Sequence, residues 1–81
     1  MSRENALLDK ACKKARKYAD ENGYIFMAPS LGNSGCENHG GEEYVVLRDT
    51  TDILSVWLVG NKDKISLVAH EDYPKDLLAD Y

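Results

Sequence analysis

The chain has 81 residues, 43% of them hydrophobic and 30% charged, with a net charge of −4. That is one small domain, residues 1–81, with a modest core and a composition that excludes wholesale disorder. Its longest apolar runs, YIFMA at 24–28 and VWLV at 56–59, fall far short of the roughly 18 residues that a membrane span needs.

Ser2 is a candidate N-cap. Ala6, Leu7, Leu8, Ala11, Cys12, Ala15, Tyr18 and Ala19 then recur at spacings of three and four, which predicts a helix from residue 3 to about residue 22. Gly23 suits the left-handed position just past its end. Residues 1–22 carry a net charge of +2 and the remainder −6, so the chain is electrically lopsided. Cys12 lies in the apolar stripe and reads as a core residue. The charged N-terminus lacks a signal peptide's apolar core, which predicts a cytoplasmic protein with reduced thiols, in a host cytoplasm if it is phage-encoded.

Residues 24–28 are aromatic-rich and predict a strand that Pro29 stops. A glycine-rich connection, SLGNSGCENHGGEE, fills 30–43. EYVVLR, ILSVWLV and KISLVA then predict three more strands. Their joints, DTTD at 49–52 and GNKD at 60–63, are short enough to force antiparallel neighbours. Pro74 suits the first position of a closing helix over 75–81. The prediction is an α+β fold: an N-terminal helix packed on a four-stranded, mainly antiparallel sheet, with a short C-terminal helix. In element order alone, helix, three strands, helix resembles the double-stranded-RNA-binding fold. That family places a lysine-rich cluster at the start of a long second helix. This chain has a short acidic segment there, and the family's function does not carry over.

Alternation sorts Val45, Leu47, Leu54, Val56 and Leu58 onto one sheet face, and Tyr44, Val46, Ile53, Ser55, Trp57 and Val59 onto the other. Neither face is polar, and one amphipathic helix covers only one. The second needs the C-terminal helix, a partner protein or a homodimer contact. Trp57 is then either core or an interface anchor.

The glycine-rich stretch fits no phosphate loop, because Gly41-Glu42-Glu43 stands where Gly-Lys-Ser/Thr is required. It fits no calcium loop either. Cys36 and His39 form a C-x-x-H pair, which opens an alternative metal or thiol site but supplies only two of the four ligands a structural zinc needs. Lys10, Lys13, Lys14 and Lys17 share one helical side and carry the alternative of nucleic-acid contact, against an overall pI of about 5.0.

The expectation is a non-enzymatic, protein-binding protein without a cofactor. It is of the size and charge of phage-type inhibitors, anti-CRISPR-like or immunity-like, that occlude or mimic a nucleic-acid site. The candidate contact residues are Trp57, Tyr44, Asn33, Glu37, Asn38, Glu42, Glu43, Asp49, Asp52 and Asp63. The mimicking charges would be Asp49, Asp52, Asp63, Glu71, Asp72, Asp76 and Asp80.

Overall fold

A computed structural model gives the fold of residues 2–78. Helix α1 (Arg3–Asn22) begins where the Ser2 hydroxyl accepts the Asn5 N–H at 3.1 Å. It ends where Gly23, at φ 71°, turns left-handed and bonds back to the Ala19 carbonyl. Strands β1 (Gly35–His39), β2 (Glu42–Asp49), β3 (Asp52–Val59) and β4 (Ile65–Leu67) follow, then a one-turn helix α2 (Lys75–Leu78). The strands form an antiparallel meander in the order β1-β2-β3-β4. The α+β layout is the predicted one. The predicted closing helix is present over α2, and its remaining residues lie outside the described ones.

The fourth strand is not the predicted one. Residues 24–28 pair with no strand, and β1 comes from inside the glycine-rich connection. Gly40 and Gly41, at φ 61° and 83°, make a two-residue turn that sets His39 opposite Glu42. Side chains resist that backbone and glycine does not. Such a hairpin closes locally. It then fills the outer edge of β2, and residues 30–34 fill the rest of that edge. The Ser30 N–H donates to the Arg48 carbonyl at 2.7 Å, and the Ser34 hydroxyl accepts the Arg48 N–H at 2.9 Å. No place beside β2 is left for 24–28.

Register corrects the assignment of faces. Val45 stands opposite Trp57, and Val46 opposite Val56. Opposed residues share a face. Trp57, Val45, Leu47 and Ile65 therefore pack beneath Leu7, Leu8 and Ala11 of α1. Val46 and Val56 lie on the other face, beneath Leu77 of α2. Alternation is as predicted within β2 and, from Ser55 onward, within β3, but the phase between them is reversed. A bulge adds to this: Leu47 faces Ser55 and Arg48 faces Ile53, so Leu54 is an extra residue and Ile53 joins Val56. The second face is also covered from within the chain. Val46 and Val56 are fully buried and Leu77 is 1% exposed, so of the three expected covers for that face the C-terminal helix is the one present here.

A helix with its side chains is about 10 Å wide and strands lie about 4.8 Å apart, so one helix covers about two strands. α1 makes its main contacts with β1 and β2. The β3–β4 half of the same face is left partly open, beside the C-terminal half of the helix.

Candidate functional site: an apolar groove beside the long helix

That opening is a groove of about 430 Å³. Ala15, Tyr18 and Ala19 of α1 form one wall, and residues 24–27 form another. Leu54, Ser55, Trp57 and Leu67 line the sheet side, and Val68, Ala69, His70 and Tyr73 complete the lining. Trp57 belongs to the floor. It is only 5% exposed, and its indole N–H is satisfied by the Ser55 hydroxyl at 2.9 Å. The expected interface anchor is thus a core residue, held there by the helix above it.

The rim carries the exposed apolar surface. Tyr18, Tyr24, Ile25, Met27 and Leu67 all line the groove, with exposures from 41% at Leu67 to 91% at Ile25. Phe26 lines the groove as well. It is half-buried, with the Arg16 guanidinium 5.8 Å above its ring. Single exposed apolar residues are ordinary on a protein surface, but five on one rim are a patch.

On the opposite sheet face a charged cluster ties α2 to β1. His39 Nδ1 lies 2.9 Å from Asp76 Oδ2, and Nε2 lies 2.9 Å from Glu37 Oε1. Arg48 bonds the other oxygen of Glu37. The His39 side chain is 9% exposed. Burial pulls its pKa down, but the bonds to Asp76 and Glu37 outweigh this and set it above the ordinary histidine value. Both ring nitrogens facing carboxylates is the geometry of a charged imidazolium. The His39–Asp76 bond fastens α2 against β1.

The C-x-x-H pair does not converge. Three residues apart on a strand, Cys36 and His39 point to opposite faces. Cys36 packs in the α1 core while His39 faces α2. Burial pushes the Cys36 thiol up, and Glu43 and Glu4 push it further, which is the wrong direction for a nucleophile. Both cysteines are free thiols. Among the described residues, no three His, Cys, Asp or Glu side chains are arranged to hold a metal ion.

The acidic candidates are divided between two ends of the sheet. Asp49 and Asp52 face each other, exposed, at the β2–β3 turn. Glu42, Glu43 and Asp63 lie at the other end, roughly 25 Å away along eight-residue strands. There Arg3 binds Glu43 at 2.7 Å and Asp63 at 2.8 Å. Asn38 is exposed beside the Gly40-Gly41 turn, and Asn33 bonds the Ser30 hydroxyl. Tyr44 is half-buried against the His39 ring. Of the further expected mimicking charges, Asp76 is bound to His39, Glu71 and Asp72 are exposed in the turn that follows β4, and Asp80 lies outside the described residues. In the basic stripe, Lys10 donates to the Asp63 carbonyl, Lys13 pairs with Asp9 and Lys17 with Glu21.

Sequence reasoning missed the groove rim and the His39 cluster. The cluster had a signal: Gly-Gly between alternating residues marks a two-residue hairpin, which puts Glu37 and His39 on one face. The rim had a weaker one, the uncharged run YIFMA. No helix among the described residues is long and apolar enough to cross a membrane. Comparison of the chain with protein-family models, with characterised proteins and with solved structures gave no match, so the site is read from its own chemistry.

Proposed function

We propose that this chain is a non-enzymatic, protein-binding domain that works through the apolar groove rather than through its acidic residues. The observation that supports this is the gathering of Tyr18, Tyr24, Ile25, Met27 and Leu67 around one opening. Leaving such side chains in water is unfavourable by about 25 cal/mol for each Å² of apolar surface, and a protein partner recovers that free energy. An inhibitor of this kind acts by occlusion. Mimicry of nucleic acid draws no support from acids split between two sheet ends and partly neutralised by Arg3.

Affinity capture from the source cells compares three versions of the protein. Wild type is expected to retain a stoichiometric protein partner. A double variant Ile25→Lys and Met27→Lys loses it, and Asp49→Lys with Asp52→Lys keeps it. Capture that survives the groove variant and fails in the acidic one would contradict the proposal.

A further inference from the structure

Local preference and fold disagree at residues 24–28. The run YIFMA is the most strand-like uncharged segment in the N-terminal half of the chain, yet it pairs with nothing. Among the described residues, the backbone N–H and C=O groups of Ile25, Phe26, Met27 and Ala28 make no hydrogen bond within the chain. Phe26 is half-buried with the Arg16 guanidinium 5.8 Å from its ring, while Ile25 and Met27 on either side of it are exposed. Conflicts between local and global preference concentrate at working sites. An unpaired apolar strand is a template for another strand.

We infer that two copies of the chain pair through residues 24–28, as antiparallel strands related by a two-fold axis at Phe26. This names an occupant for the groove side of the molecule and rests on the reading of that side as the contact surface. A two-fold contact requires a patch complementary to itself. Here Tyr24 falls opposite Ala28, Ile25 opposite Met27 and Phe26 opposite its own copy, so every pair is uncharged and no like charges meet. The five exposed rim residues leave about three whole side chains' worth of surface in water, on the order of 500 Å² per copy. A second copy that covered the whole rim on both sides would bury at most about 1,000 Å², the size at which specific interfaces begin. The pairing also satisfies the idle backbone groups.

Sedimentation equilibrium from micromolar to millimolar protein tests this, together with amide hydrogen exchange at the same concentrations. The expected result is a mass that doubles with concentration while exchange slows at Ile25, Phe26, Met27 and Ala28. Ile25→Lys then weakens the dimer by roughly tenfold or more, without moving the melting temperature measured at low concentration where both proteins are monomers. A monomer at millimolar concentration overturns the self-pairing. So does a dimer that Ile25→Lys leaves intact, or one in which those amides still exchange freely. None of these outcomes touches the capture experiment, whose own failure would instead sink the groove as a contact surface.

Discussion

The two faces of the sheet are covered in different ways. On one, a 20-residue helix contributes Leu7, Leu8 and Ala11 to a core that includes Trp57. It is too narrow to cover all four strands and leaves a groove. On the other, a single turn of helix places Leu77 over Val46 and Val56 and is tied at its edge by His39 and Asp76. The large cover is held by apolar area and leaves surplus apolar surface at its margin. The small cover has little area and relies in part on charge. Where a layer is incomplete, a small domain either fastens a scrap of chain over it or leaves it open; this molecule fastens one face and leaves the other partly open, and we propose that a partner covers the open one.

The sharpest way to break this comparison is to hollow the first face. Trp57→Ala removes the largest core side chain and is expected to destabilise by about 3–5 kcal/mol, read by denaturant unfolding. Leu77→Ala undermines the second face, and about 2 kcal/mol is expected because a single turn can shift to close part of the cavity. A Leu77 variant costlier than the Trp57 variant would reverse the assignment of the two covers.

pH separates the faces more finely. The docked state raises the His39 pKa, so the bond's contribution is complete below the ordinary histidine value near 6.5 and fades as pH rises through the raised one. Glu37 and Asp76 are held below their ordinary values. For Glu37 burial opposes this, and the bonds to Arg48 and His39 prevail. For Asp76 the bond to His39 is the main cause. Their contribution is present above about pH 4 and is lost as pH falls through the lowered values. The protection of α2 amides, taken relative to their intrinsic exchange rate at each pH, is therefore expected to be greatest between about pH 4.5 and 6.5 and to fall as pH rises through the raised His39 value, with α1 protection unaffected by the same step. His39→Gln removes the step, at a cost on the order of 1 kcal/mol. The smallest expected effect is at the rim: Ile25→Lys changes unfolding free energy by less than about 0.5 kcal/mol, because a residue 91% exposed contributes little to the fold.

Much of the architecture was legible because its signals are local. Ser2, the three-four stripe and Gly23 mark α1 at both ends, and the short joints after β2 and β3 force the meander. What could not be read depends on pairing across strands. Phase between β2 and β3 is set by the two-residue turn at Thr50-Thr51 and by the bulge at Leu54, and a one-residue change of phase moves Trp57 from one face to the other. The candidate site was harder still. An exposed Ile25 and a buried one have the same sequence signature. Only the width of α1 against the width of the sheet decides which occurs.

The account stands or falls on the groove rim as the place where this protein meets another. A photo-crosslinking residue at position 25, compared with the same residue at position 52, tests that in the source cells, since both sites are exposed and neither supports the core. The account predicts a discrete protein adduct from position 25 and none from position 52. An adduct from position 52 with none from position 25 would contradict it.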